Sequence, residues 1–195
     1  MTTNHRKDNR ARLLHAAADL FAHRGYHATS MKDLEEATGM GRSSLYYYFS
    51  NKEELLFEIT TRYLRELVGI GYTLLDEELE PAERLRLFSR AVMRSVANDL
   101  NELTVCFRET HAMTGSNQQA LMDLHRSYES VWARVLQAGS DTGAFTETDA
   151  ITVKSVIGMH HYSYLWLRPG GKRSPESIAD SFCDLILNGL TTRNA

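Results

Sequence analysis

The sequence predicts an all-α protein of about nine helices. Apolar residues recur at spacings of three and four along most of the 195 residues, as they do on one face of an amphipathic helix. The chain contains only three prolines, and no stretch of useful length alternates apolar and polar residues as a half-buried strand would. The pattern favours three short N-terminal helices followed by a longer helical region.

The first helix is predicted over residues 9–23, and the residues before about position 7 are expected to be disordered. Gly25 can end this helix, because glycine adopts the left-handed conformation of a C-terminal cap without strain. Ser30 and Asp33 form a capping box for a second helix, which Gly39 ends. The apolar stripe of the first helix comprises Leu13, Leu14, Ala17, Leu20 and Phe21.

The third helix, over residues 42–49, is the most informative segment of the chain. Leu45 and Phe49 face inward four residues apart, and the rest of the helix carries guanidinium, hydroxyl and phenol groups. A short helix that follows another across a tight turn is the layout of a helix-turn-helix, whose second helix enters the DNA major groove. Ser50 and Glu53 are expected to form the capping box of a long fourth helix.

The longer helical patterns begin after residue 75. Helices are predicted from Pro81, over residues 103–113, over residues 117–138, from Thr148 or Asp149 to about residue 167, and from Pro175 onward. Residues 1–52 carry a charge of +3 and residues 53–195 a charge of −6. This asymmetry favours DNA contact confined to the N-terminal end. The expected division is a DNA-binding domain over residues 1–52 and a helical domain over residues 53–195, to which the family resemblance described below assigns ligand binding and dimerisation.

Several other classes of function find no support in the sequence. It has no HExxH, CxxC, glycine-rich phosphate loop or Glu-x-x-His pair, so neither an enzyme, a resident cofactor nor a metal site is predicted. Adjacent His160 and His161 point about 100° apart and make a poor metal pair. Cys106 and Cys183 are expected to be buried, reduced thiols, and a cytoplasmic location is expected.

Residues 10–67 resemble the N-terminal domain of the TetR family of bacterial transcriptional repressors. The match follows the family pattern in order and without insertions or deletions. The segments that match are residues 14–21, 25–30, 33–34, 45–49 and 52–56. The resemblance implies a ligand-responsive repressor that binds palindromic operator DNA as a homodimer. A transcriptional activator with the same N-terminal domain is the alternative, and a helical-bundle enzyme is a more remote one.

The same resemblance implies a set of DNA contacts. Arg42 is expected to bond guanine, because a guanidinium reaches O6 and N7 together, although a merely solvated arginine is the alternative. The Tyr47 position reaches base edges in the family, and the Tyr46 and Tyr48 positions approach the backbone. The remaining expected contacts, mainly to phosphates, come from Thr29, Ser30, Ser43, Ser44 and Lys52.

The C-terminal region is expected to supply a pocket and a dimer surface. Residues that combine an apolar body with a polar tip, or that line apolar walls, predict a small-molecule pocket, with core packing as the alternative for each. They are Met93, Phe107, Arg108, His111, Met122, His125, Tyr128, Trp132 and Tyr162. The family implies a four-helix dimer bundle, here expected from Val153, Ile157, Tyr164, Ile178, Phe182, Leu185 and Gly189, unless these stripes pack only within one subunit.

The inducer is the least defined part of this prediction. Residues 166–171 and 174–180 are similar to a branch of the family that includes regulators of fatty-acid and sterol breakdown, which release DNA on binding acyl-CoA thioesters. An acyl-CoA thioester or another lipid-derived molecule is therefore the expected ligand class. The sequence does not set the sign of regulation, and only the resemblance favours repression.

Overall fold

The computed structural model describes residues 2–190, and in this range it contains nine α-helices, two 3₁₀ turns and no strand. The predicted all-α fold is confirmed. The helices are α1 (Thr2–Arg24), α2 (Met31–Thr38), α3 (Arg42–Tyr48), α4 (Lys52–Asp76), α5 (Pro81–Asn98), α6 (Leu100–Glu109), α7 (Gly115–Asp141), α8 (Ala150–His161) and α9 (Pro175–Leu190). The 3₁₀ turns Thr110–Ala112 and Tyr162–Leu165 follow α6 and α8.

Two predicted helix boundaries were wrong by more than one turn. The first helix begins at Thr2, so most of the segment expected to be disordered continues α1, while Met1 lies outside the described residues. The helix expected to reach about residue 167 ends at His161, and a 3₁₀ turn takes its place. There the Ser163 hydroxyl donates to the His160 carbonyl, which satisfies one of the carbonyls that the end of α8 leaves free.

The caps that enclose the helix-turn-helix follow local sequence rules. The Ser30 capping box is present: Asp33 N donates to Ser30 Oγ at 3.2 Å, and Ser30 N donates to Asp33 Oδ2 at 2.7 Å. The hydrogen bonds from Ser30 lower the pKa of Asp33. Gly39 ends α2 in the left-handed conformation, with φ of 66°. Gly41 caps α3 without a side-chain bond.

The cap of α4 lies one residue later than predicted. Asn51 Oδ1 accepts the hydrogen bond of Glu54 N at 2.8 Å, and the Glu54 carboxylate accepts both the amide and the hydroxyl of Ser50 at 2.7 Å. Glu53 is instead occupied elsewhere, because it accepts hydrogen bonds from Thr114 N and Asn117.

The chain divides into two compact units. The head unit comprises the residues up to Arg62 together with Leu100–Met122, and the body unit comprises Tyr63–Asp99 together with the residues from Asp123 on. Helix α4 belongs to both units, and α6 belongs to the head unit although it follows α5 in sequence. The functional boundary after residue 52 stays a prediction. Within the described residues, none of the helices combines the length and apolar character that crossing a bilayer requires.

The head unit packs α1, α2, α3 and the first turns of α4 around an apolar core. Leu45 and Phe49 are buried as predicted and anchor α3 from beneath. Other core members are Leu13, Leu14, Ala17, Phe21, Leu34, Leu55, Leu56 and Ile59. Helix α6 is joined to α1 by polar contacts: buried Glu102 lies 3.4 Å from His15 Nδ1, Asn101 donates to Asp19, and Arg108 donates to the Ala22 carbonyl.

The body unit has α5 against α9 as its main helix pair. Arg90 and Asp180 form a two-pronged ion pair across it, with N–O distances of 2.8 and 2.9 Å. Gly71 permits close packing on α4, because a Cβ there would lie 2.1 Å from Val131 Cγ1. The core of this unit includes Leu85, Phe88, Val92, Met93, Tyr128, Val131, Trp132, Val156, Ala179 and Cys183.

Candidate nucleic-acid interface and sensor core

Helix α3 presents a polar face to solvent. Arg42, Ser43 and Ser44 are exposed at its first turn, and only Leu45 of its seven residues is buried. The Arg42 guanidinium lies 5.7 Å from the Tyr46 ring centroid, within cation–π range. The face therefore offers a fork of N–H donors and several hydroxyls, which are the groups that contact base edges and phosphates.

The three consecutive tyrosines of α3 point in different directions, as the helical period requires. Tyr47 is the most exposed at 63%, Tyr46 is exposed at 42%, and Tyr48 is half-buried. The rings of Tyr47 and Tyr48 meet edge to face at 5.2 Å, and the Arg6 guanidinium lies 5.1 Å from the Tyr47 ring. This contact brings a cation from α1 beside the exposed face, a pairing that no local sequence pattern predicts.

Lys52 has a different environment from the one expected of a phosphate contact. Its ammonium donates to the Tyr26 carbonyl at 2.8 Å and to the Thr29 carbonyl at 2.9 Å, and it lies 4.2 Å from the Tyr26 ring centroid. Burial lowers the pKa of Lys52. Two of its three N–H groups thus bond the turn between α1 and α2. Lys52 therefore fastens this turn to the start of α4 within the head unit, a role called here the clamp.

Thr29 and Ser30 are also engaged inside the protein. Thr29 is only 1% exposed, and its hydroxyl donates to the Gly25 carbonyl at 3.0 Å, so its side chain cannot reach a phosphate. Ser30 is exposed, but its hydroxyl donates to Asp33 and accepts from Asp33 N in the capping box. The expectation that Thr29 contacts DNA through its side chain is wrong because the turn buries it.

The nine residues predicted to line a pocket differ widely in burial, and the pocket itself stays a prediction. Met93, Tyr128 and Trp132 are buried in the body unit. Six have exposed side chains: Phe107, Arg108, His111, Met122, His125 and Tyr162. An apolar body with a polar tip suits a core, a surface and a pocket wall equally well, so composition could not separate them. An open groove of about 450 Å³ between α7 and the start of α8 includes none of the nine in its lining.

The buried members of that set surround His160 and His161, a role that no sequence motif indicates. His160 Nε2 lies 2.6 Å from Ser89 Oγ, and His161 Nε2 lies 3.1 Å from Tyr128 Oη. Burial lowers the pKa of His160 to about 4 and that of His161 to about 3, so both rings are neutral at pH 7. Trp132 Nε1 is buried there without a well-formed hydrogen bond, although its N–H interacts with the Tyr128 phenol beside it.

Two family models match separate parts of the chain. A model of bacterial regulatory proteins of the TetR family matches residues 13–59, and a model of the tetracyclin repressor-like C-terminal domain matches residues 78–190. The chain belongs to the TetR family. It is therefore a transcriptional regulator, and the family and the relatives named below are regulators rather than enzymes.

Relatives along nearly the whole chain agree with this assignment. The repressor KstR2 of Rhodococcus jostii is 26% identical over 97% of this chain and 95% of its own length. The crystal structure of PfmR from Thermus thermophilus has a TM-score of 0.84 at 33% identity and covers 93% of this chain and 100% of PfmR. AibR, solved with isovaleryl coenzyme A and operator DNA, has a TM-score of 0.76 at 26% identity over 91% of this chain and 97% of AibR. Similarity to named repressors supports repression over activation.

The residues expected at a TetR-type dimer surface fall into three groups. Val153 and Ile178 are buried within the subunit, and Ile157, Tyr164 and Phe182 are half-buried. Leu185 and Gly189 are exposed, Leu185 at 64%. Sequence periodicity alone could not tell which apolar residues of α8 and α9 pack inward. Exposed apolar side chains that the prediction missed follow the end of α8: Leu165 and Trp166.

Proposed function

We propose that this TetR-family regulator is a homodimeric repressor that reads a palindromic operator through α3 and releases it on binding an acyl-CoA thioester. The observation that supports DNA binding is the exposed face of α3. It offers the guanidinium of Arg42, the hydroxyls of Ser43 and Ser44 and the phenol of Tyr47, on a helix that buried Leu45 anchors. A single α3 reads few bases, so two copies on half-sites one helical turn apart supply the affinity and specificity.

Selection of bound duplexes from a random DNA pool tests the reading helix. The expected result is a palindrome whose preferences change at particular positions in Arg42→Ala and Tyr47→Ala. Loss of a good bidentate contact costs about 1–3 kcal/mol of discrimination. Tyr72→Ala, which removes an exposed tyrosine outside the head unit, is the matched control and should leave the palindrome unchanged. Unaltered base preferences in both α3 variants would refute the assignment.

The dimer surface of the proposal rests on the apolar groups that α9 and the turn after α8 leave exposed, above all Leu185 and Trp166. Large apolar side chains exposed near one another are typical of a subunit interface. Leu185→Glu should convert the dimer to a monomer in analytical ultracentrifugation. Ile70→Glu places the same charge on an exposed apolar position of α4 and should leave the dimer intact. A dimer that survives Leu185→Glu would exclude this face.

The inducer class is supported by AibR, whose crystal structure holds isovaleryl coenzyme A together with operator DNA. The body unit offers a neutral core in which Trp132 Nε1 makes no well-formed hydrogen bond. A thioester carbonyl would give this N–H a well-aligned acceptor, which is worth about 0.5–1.5 kcal/mol net. Helix α4 belongs to both units and is the element through which ligand binding would bias DNA affinity.

Fluorescence anisotropy of the selected operator tests the ligand. Isovaleryl coenzyme A should release the DNA, whereas coenzyme A alone should not. Trp132→Phe keeps the ring in the core and removes the N–H, and it should need a higher thioester concentration for the same release. If a panel of short, branched and sterol-like acyl-CoA thioesters leaves the complex intact, the proposed ligand class is wrong. The assignment of α3 to DNA binding is tested separately and would be unaffected.

A further inference from the structure

Three side chains that no motif connects meet in the head unit. They are His27 in the turn after α1, Glu109 at the end of α6, and His111 in the 3₁₀ turn that follows α6. Each offers a ligand atom, and these atoms all lie within 4.8 Å of one another. The sequence predicted no metal site because more than eighty residues separate His27 from the other two.

The Glu109 carboxylate is held in place by the backbone that carries His27. Glu109 Oε1 accepts the hydrogen bond of Tyr26 N at 3.2 Å, so the residue next to His27 is tied to the end of α6. Tyr26 itself is buried, and its ring meets the rings of Phe21 and His27 edge to face, each at 5.2 Å. A carboxylate can accept about four hydrogen bonds, so Oε1 can keep the Tyr26 N–H while the group also binds a cation.

The local charge favours a cation. Burial raises the pKa of Tyr26, and the charges of Glu53 and Glu109 raise it further, which places two carboxylates near this turn. The Lys52 ammonium offsets one of them, and its N–H groups already bond the Tyr26 and Thr29 carbonyls. The side chains of His27 and His111 are exposed, so rotation of their rings toward a common centre is not blocked by burial.

The donor set selects the kind of metal. Two imidazole nitrogens and one carboxylate oxygen match the three-ligand zinc sites that leave a fourth position for water. Calcium and magnesium prefer oxygen ligands throughout. Zinc–ligand bonds of about 2.0–2.2 Å put tetrahedral ligand atoms about 3.4 Å apart. Small side-chain rotations of the exposed histidines close the difference from the present spacing.

We propose that His27, Glu109 and His111 bind one divalent first-row transition metal ion, zinc in the first place, which fastens the α1–α2 turn to the end of α6. Neither a DNA contact nor an inducer is required for this binding. The effect is a head unit whose turn before α2 is fixed by a metal as well as by Lys52.

Titration of the tag-free, metal-depleted chain with Co²⁺ tests the proposal directly. One Co²⁺ per chain should bind with the visible absorption of a four- or five-coordinate site, and Zn²⁺ should displace it. His27→Ala and His111→Ala should each weaken binding at least about tenfold. His23→Ala removes an exposed histidine of α1 that pairs with Asp19 and should bind Co²⁺ as the unsubstituted chain does.

Glu109→Gln separates ligation from the structural role of this side chain. Glutamine retains an oxygen that accepts the Tyr26 N–H, so the metal-free melting temperature should be kept while Co²⁺ affinity falls. Zn²⁺ at a hundredfold excess over its dissociation constant should raise the melting temperature of the unsubstituted chain by about 5–10 °C, and that of His27→Ala by far less. Equal Co²⁺ affinity in the unsubstituted chain, His27→Ala and His111→Ala would overturn the site, as would the lack of stoichiometric binding.

Discussion

Replacement of Lys52 by methionine distinguishes a clamp from a phosphate contact. Methionine keeps most of the aliphatic stem and removes the ammonium that donates to the Tyr26 and Thr29 carbonyls. If the clamp is the main role of Lys52, the variant loses stability and its electrostatic dependence on DNA phosphate changes little.

The size of the effect can be worked from the contacts. A hydrogen bond to a charged group contributes about 1.5–3 kcal/mol, and a cation–π contact about 0.5–1 kcal/mol at an exposed site. Lys52 is only half-buried, so water replaces part of both, and the free energy of unfolding should fall by about 2–3 kcal/mol. In a chain of this size the melting temperature should fall by about 4–12 °C.

Two assays on the same preparations decide the question. Lys32→Met is the matched control, because Lys32 is exposed and pairs with Glu36 on the surface of α2. It should change stability by less than about 0.5 kcal/mol. The slope of log binding constant against log salt should stay within about 0.5 of the unsubstituted protein for Lys52→Met. An unchanged melting temperature together with a slope reduced by about 1.8, the value for two lost phosphate contacts in a dimer, would refute the clamp.

Two further predictions concern the body unit. Gly71→Ala should destabilise the protein by about 1–3 kcal/mol in urea unfolding, because the added methyl group would collide with Val131. Gly69→Ala, on the same helix, adds its methyl group in open space and should stabilise the protein by about 0.5–1 kcal/mol. Equal effects of the two substitutions would contradict the packing of Gly71 against Val131. The folded-state pKa values of His160 and His161, about 4 and about 3, lie below the ordinary value of 6.5, so the unfolded chain takes up protons first and stability falls as pH drops below about 6.5. The slope of the unfolding free energy against pH, measured between pH 6 and 5, should therefore be smaller in His161→Gln than in the unsubstituted chain, by up to about 1.4 kcal/mol per pH unit. Identical slopes would show that His161 is not held neutral in the folded protein.

The features that the sequence predicted well depend on residues only three or four positions apart in the chain. Ser30 and Asp33 are three residues apart, and Leu45 and Phe49 are four apart, so helical geometry alone sets both relations. The cap of α4 shows where such rules stop. The pairs at positions 50 and 53 and at 51 and 54 both fit the capping pattern, and Glu53 is taken by Thr114, more than sixty residues away.

The candidate site was predictable to the same extent. The exposed face of α3 follows from its pattern and from resemblance to the family. The partners of Lys52 lie 23 and 26 residues away in a turn, and no local rule relates them. The pocket prediction groups buried Trp132 with exposed Tyr162, because both residue types combine an apolar ring with a polar tip and sequence alone does not give their burial.

The attachment of α6 to α1 bears on how regulators of this kind can be recombined. Glu102 is buried beside His15 and lies 3.5 Å from Arg62. The N-terminal helices therefore depend on an acidic residue that lies forty positions after Arg62 in the sequence. A chimera that joins residues 1–62 to another protein's sensor would bring DNA-reading helices without their natural support. A transplant that also carries 100–122 would preserve it. The unit that carries α3 is thus discontinuous in sequence, and substitutions in residues 100–122 bear on the stability of the N-terminal helices during evolution.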